Sequence, residues 1–155
     1  MNGQADLYQQ LIIDHNRKPR NFRKIDDPGC SCSEGLNPLC GDHLLIFVLM
    51  DESGETIQDI SFQGSGCAIS KASASIMTDM LKGKTKKEAE ELFELFHNLL
   101  KGQEQGQQQV LKPGKMGKLQ VFSGVWKYPS RVKCASLAWH AMIGAFEQKK
   151  TVSTE

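Results

Sequence analysis

Cys40, Cys67 and Cys134 are the residues through which this chain could do chemistry, because each sits where a thiolate is easily held. They are separated by 26 and then 66 residues. Cys40 belongs to Asn37-Pro38-Leu39-Cys40-Gly41-Asp42, with a carboxylate two positions beyond the thiol. In an extended segment residues i and i+2 point the same way, so one cation reaches both, and Gly41 lets the backbone bend between them. Cys67 closes Gly64-Ser65-Gly66-Cys67 and opens the small-residue run Ala68-Ile69-Ser70-Lys71-Ala72-Ser73-Ala74-Ser75. That spacing predicts a helix start, where free N–H groups and the dipole favour a thiolate over a thiol. Cys134 follows Arg131-Val132-Lys133 in the first turns of the last helix. Arg131 stands three residues before Cys134 and Lys71 four after Cys67, so each puts a cation on its cysteine's helix face and should lower a thiol pKa. Cys40, Cys67, Cys134 and Asp42 together make the four ligands of a tetrahedral Zn²⁺ site.

Plainer readings stand beside this one. A free cysteine is often a small buried hydrophobe, and a closed Cys-rich zinc site often does no more than hold a fold together. Cys30-Ser31-Cys32 is either a redox pair or second metal site, or an incidental exposed pair in a loop, dispensable to the other three cysteines. His43 follows Asp42 and should point to the opposite strand face. His140 lies about 240° round the helix from Cys134, which suits packing or surface. His97 sits among core-facing positions, and His15 fits a partner surface or a capping role.

The elements that must position these residues are readable in outline. Leu7, Leu11 and Ile12 recur at helical spacing within residues 4–15, and the Pro-, Gly-, Arg- and Asp-rich stretch 16–39 reads as a long loop with at most a short strand. The apolar run 43–50 and the segment 56–62 read as strands joined by the turn Asp51-Glu52-Ser53-Gly54. Ile69, Ala72, Ile76 and Met80 predict a helix packed on the sheet by one stripe. Thr85 with Glu88 forms a capping box ahead of Ala89, Leu92, Phe93, Phe96 and Leu100. Residues 102–117 are Gln- and Gly-rich and read as a flexible linker inside the domain. Tyr128-Pro129 halts the chain, Ser130 caps the final helix, and Val132, Trp139, Met142, Ile143 and Phe146 form its buried side. The sum is one α+β domain over 1–155, a small antiparallel sheet of about three strands covered by helices, with a tail fraying from about 149.

At 155 residues and 39% hydrophobic the chain suits a single core. A net charge of +1 gives no case for nucleic acid or an anionic membrane surface. No apolar run approaches the ~20 residues of a membrane span, and the polar N-terminus does not read as a signal peptide, so a cytoplasmic location is expected. Five cysteines, an odd number, argue for metal or sulfur chemistry over a disulfide framework.

The three cysteine segments, in this order and with these flanks, resemble the IscU/SufU/NifU-N-terminal family of iron–sulfur cluster assembly proteins. The resemblance runs from Leu7-Tyr8, Asp14-His15 and Pro19-Arg20-Asn21 to the last helix and implies a SufE/NifU-like fold. Arg131-Val132-Lys133-Cys134 is similar to the Arg-x-Lys-Cys motif of the SufU branch, and residues 83–104 resemble that branch's insertion, the start of a flexible stretch reaching to about 117. The IscU branch has a histidine where this chain has Lys133, and a Leu-Pro-Pro-Val-Lys segment that is absent here.

The resemblance implies a zinc-dependent sulfurtransferase. It would accept persulfide sulfur on Cys40 from a pyridoxal phosphate-dependent cysteine desulfurase, SufS-like, and relay it to a downstream iron–sulfur scaffold or apo-acceptor. Cys40, Asp42, Cys67 and Cys134 would hold the zinc, with Arg131, Lys133 and Lys71 beside the ligands or on the partner-binding surface. Two alternatives stay open: an IscU-type scaffold carrying a transient [2Fe–2S] cluster, and a zinc-stabilised adaptor without chemistry.

Overall fold

The apolar runs at 43–50 and 57–62 fold as adjacent strands, β2 (Asp42–Met50) and β3 (Ile57–Ser65), joined through a turn in which Gly54 takes φ +76°. The structure is a computed structural model that describes residues 3–101 and 117–153. β1 (Ser31–Asn37) pairs antiparallel with β2, from Ser31 opposite Val48 to Asn37 opposite Asp42. A short β4 (Thr151–Ser153) joins β1 in parallel, and the sheet order is β3-β2-β1-β4. The sheet therefore has four strands, not three, and is not wholly antiparallel. β1 lies in the stretch read mainly as loop, and β4 lies where the tail was expected to fray. Neither has an apolar run; their pairing with β2 and β1 makes them strands, since strand propensity follows context. Beyond β3, the Phe62 N–H donates to the Asn21 carbonyl and the Arg23 N–H to the Phe62 carbonyl, both at 3.0 Å.

Four helices are named here: α1 (Gly3–Arg17), α2 (Ala68–Leu81), α3 (Lys86–Leu100) and α4 (Pro129–Phe146). α4 packs on β1, β2 and α2, and α1 also packs on α2. Close approach to β1 depends on Gly35, where a Cβ would stand 3.1 Å from Leu137 Cδ1. α2 is not a one-stripe helix: every residue from Ala72 to Thr78 is buried, serines included. The serines are tolerated inside because their hydroxyls are hydrogen-bonded, Ser73 Oγ donating to the Ala135 carbonyl at 2.5 Å and Ser75 Oγ accepting from the Arg20 N–H at 2.8 Å.

His15 belongs to this interior. It is fully buried, with Nδ1 2.7 Å from Ser75 Oγ, so it is neither a partner surface nor a cap; it ties α1 to α2. The Thr85–Glu88 capping box forms as expected, and α3 buries Ala89, Leu92, Phe96 and Leu100. Ser130 does not cap α4. Pro129 is the helix's first residue, where its fixed φ and missing N–H cost nothing, and Tyr128 precedes it without a side-chain cap. Trp139 of α4 is fully buried, its ring 5.0 Å from Phe96. Most of the expected Gln-rich linker lies outside the described residues. Among the described residues no helix is long and apolar enough to cross a membrane.

Candidate metal centre

The site forms where the β1–β2 hairpin tip meets the N-terminus of α2 and the second turn of α4. β1 ends at Asn37 and β2 begins at Asp42, so Cys40 and Gly41 lie in the connecting turn, with Gly41 at φ +73°. The extended i, i+2 geometry expected for Cys40 and Asp42 is thus replaced by a turn. Their ligand atoms converge all the same: Cys40 Sγ, Cys134 Sγ and an Asp42 oxygen all lie within 4.8 Å of one another. Two thiolates on a tetrahedral Zn²⁺ at about 2.3 Å stand about 3.8 Å apart, so this spread is close to what the ion requires.

Asp42 is the pinned member. It is 2% exposed, and its carboxylate accepts from the Cys67 N–H at 2.8 Å and from Asn37 Nδ2 at 3.1 Å. Asn37 Nδ2 also lies 3.5 Å from Cys134 Sγ, linking two candidate ligands. Cys67 is the N-cap of α2, as its glycine flank suggested, and its sulfur accepts from the Ser70 N–H at 3.4 Å. It does not join the 4.8 Å group. Cys134 is 2% exposed and Cys40 is exposed.

Burial pushes the Cys134 thiol far up, reinforced by its hydrogen bonds with Asp42, Cys40 and Cys67. Left to itself the Cys134 thiol stays protonated in a poorly solvated spot, whereas a divalent cation would repay its deprotonation. The two thiols and one carboxylate that converge here fit a divalent cation such as Zn²⁺, with Cys67 outside the group.

The nearby cations have aromatic neighbours. Lys71 Nζ stands 5.7 Å from the Phe22 ring, and the Arg131 guanidinium stacks 4.5 Å from the Tyr128 ring. Arg131 is exposed and Lys133 half-buried. At Cys134 the expected lowering by a neighbouring cation gives way to raising by burial. Among the histidines, His43 points away and pairs with Glu34, while His97 and His140 pack against each other and Phe93. Sequence reasoning missed Asn37 and Ser70. Asn37 sits in the quoted Cys40 segment, and Ser70 is the third residue after an N-cap, so both were visible as positions but not as partners.

Gly66 packs directly against the cradle. A Cβ there would stand 2.4 Å from Ser70 Oγ and 2.8 Å from Asp42 Oδ1. Gly66→Ala is expected to displace Asp42 and weaken zinc retention against a chromophoric chelator by roughly tenfold or more, the scale of losing a supporting contact. Unchanged retention would remove Asp42 from the ligand set.

A groove of about 1230 Å³ opens onto Cys40, Cys67 and Cys134. Its lining includes Ile12 of α1, Ile69 of α2, Val121 and Val125 of the two short 3₁₀ turns, and Arg131 of α4.

The model of the NifU-like N-terminal domain matches residues 7–135. The chain is 39% identical over 142 residues to the iron–sulfur cluster assembly scaffold protein IscU of Streptococcus pyogenes serotype M1, covering 92% of this chain and 84% of that one. It is 37% identical over 136 residues to the zinc-dependent sulfurtransferase SufU of Bacillus subtilis strain 168, covering 88% and 86%. A crystal structure from Fervidobacterium islandicum AW-1, described as a candidate iron–sulfur cluster assembly scaffold for the SUF system, aligns with TM-score 0.79 at 33% identity over 93% of this chain and 99% of that one. A domain match spanning most of the chain, together with relatives alike along most of their length, means that the chain belongs to the NifU-like N-terminal domain family.

Proposed function

We propose that this chain is a zinc-dependent sulfurtransferase of iron–sulfur cluster assembly. It takes sulfane sulfur from a pyridoxal phosphate-dependent cysteine desulfurase, SufS-like, and passes it to a downstream scaffold or apo-acceptor. The carrying observation is the asymmetry of the donors: Cys40 is exposed on a glycine turn, while Asp42 and Cys134 are 2% exposed. Bound Zn²⁺ supplies the charge that keeps the cysteines deprotonated.

Cys40 is the acceptor. Its thiolate attacks the outer sulfur of the donor's persulfide, the donor S–S bond breaks, and the donor cysteine leaves as a thiolate. Cys40 then carries the persulfide, with no net change in electrons. Asp42 keeps its place through the Cys67 N–H and Asn37, so Cys40 can move on its turn without unseating the rest. Arg131, exposed beside the groove, offers a planar cation to a partner carboxylate. Lys133 in place of histidine favours relay over scaffold, since an ammonium supplies no neutral imidazole.

The zinc-loaded protein is expected to accelerate cysteine consumption by the desulfurase and to show one extra sulfur on Cys40 by mass spectrometry. Arg131→Ala should keep its zinc but raise the apparent KM for the desulfurase or lower its stimulation; unchanged kinetics at low and moderate salt would leave Arg131 a solvated helix residue. The scaffold reading rests on the same three cysteines and on the name of the Streptococcus relative. It requires zinc to inhibit, and the zinc-free protein to build a coloured [2Fe–2S] cluster from iron, cysteine and desulfurase under reducing conditions. A stable cluster, with a zinc form that leaves the desulfurase unaffected, would overturn the relay.

A further inference from the structure

Two of the five cysteines take no part in the centre just described. Cys32 is the second residue of β1 and is exposed, so it does not lie in a loop; Cys30 is half-buried just before the strand. Ser31 between them directs its hydroxyl elsewhere, accepting from Gln148 Nε2 at 3.3 Å beyond the end of α4. Strand alternation puts residues 30 and 32 on one side and 31 on the other. β1 buries Ser33, Gly35 and Asn37 toward α4, so Cys32 belongs to the opposite sheet face. From Cys32 to Asn37 the strand runs five residues, about 17 Å, which separates the pair from the metal centre.

We infer that Cys30 and Cys32 form a second, redox-reversible dithiol site, closed to an intrachain disulfide by small-molecule disulfides of the glutathione type. Burial raises both thiols, and at Cys30 the neighbouring Cys32 adds to it, so the pair rests protonated. The exposed Cys32 gives its proton to solvent and attacks the small disulfide, forming a mixed disulfide and releasing one small thiol. Cys30 then loses its proton and attacks the Cys32 sulfur. The mixed S–S bond breaks, the Cys30–Cys32 bond forms, and a second small thiol leaves. Two electrons pass from the two protein thiols to the oxidant. A ring closed over one intervening residue is strained, which makes it readily reducible and suits a reversible switch.

The test equilibrates the intact, zinc-loaded chain with glutathione buffers of graded oxidised fraction, blocks free thiols with an alkylating agent, and cleaves after Lys24 and Glu34. The fragment 25–34 contains Cys30 and Cys32 and none of the other three cysteines. The inference expects that fragment to lose two hydrogens and both alkylation sites as the buffer becomes oxidising, and to recover both on adding reductant. Cys30→Ser should instead stop at a glutathione adduct on Cys32. Two alkylated thiols throughout, a stable adduct on Cys32 of the unaltered chain, or a Cys32-linked dimer would each overturn it.

Discussion

Replacing Cys134 by serine is expected to remove most of the zinc and to lower the melting temperature. Cys134 is 2% exposed and contacts Asn37, Asp42 and both other cysteines of the cluster, so water cannot take its place. A hydroxyl is a poor zinc ligand, and losing a thiolate should weaken retention by more than the roughly 10- to 100-fold that an outer contact costs. Burying an imperfectly paired hydroxyl costs about 1–3 kcal/mol, which in a domain of this size lowers the melting temperature by on the order of 5 °C even before the lost metal is counted. Elemental analysis and calorimetry of the purified variant measure both effects. Asp42→Ala should behave differently: all thiolates remain, so zinc retention falls by roughly tenfold, as in Gly66→Ala, well short of the loss in Cys134→Ser, while stimulation of the desulfurase changes. Full zinc in Cys134→Ser would dismantle the proposed ligand set.

Acid should loosen the attachment of α1. Burial, with Arg20 and Lys118 adding to it, lowers the His15 pKa from 6.5 to about 4. Below pH 6.5 the unfolded chain binds a proton that the folded chain refuses until about pH 4. His15's contribution is therefore fully present above pH 6.5 and is lost as pH falls to about 4, a change of about 3 kcal/mol. His97 and His140 are lowered as well, chiefly by burial, and add to the same window. The lowered carboxyls Asp14, Asp51 and Asp59 act below it, because their stabilisation fades only as pH drops through and under the ordinary carboxylate range. Urea unfolding of the intact chain and of His15→Gln at pH 7 and pH 4.5 separates the contributions, since both proteins keep the same metal ligands. The variant should lose much less stability between the two pH values; equal losses would acquit His15.

The donors were legible because thiols, a carboxylate and glycines are rare enough in combination to stand out from packing residues. The capping box at Thr85 and the N-cap role of Cys67 were legible because both are local. What escaped depends on partners far away in the chain. Ser73 and Ser75 look like the wet face of α2 until Ala135, His15 and Arg20 come to meet them. Nothing within Thr151–Ser153 marks a strand, because β1, more than a hundred residues earlier, makes it one. His15 reads as a partner surface or a cap for the same reason. Asn37 could be seen beside Cys40 but not against Cys134, 97 positions on.

Both margins of the sheet are partly covered. On one side Asn21 and Arg23 take up backbone groups of Phe62; on the other, β4 covers β1 and is itself three residues long, with Lys149 and Lys150 leading into it. A strand edge with unpaired N–H and C=O groups is a template on which another molecule's strand can add, and short, lysine-flanked or covered margins are the usual defence. Among the described residues this sheet presents little such template. A sheet so trimmed leaves few free backbone groups for copies of the chain to pair with.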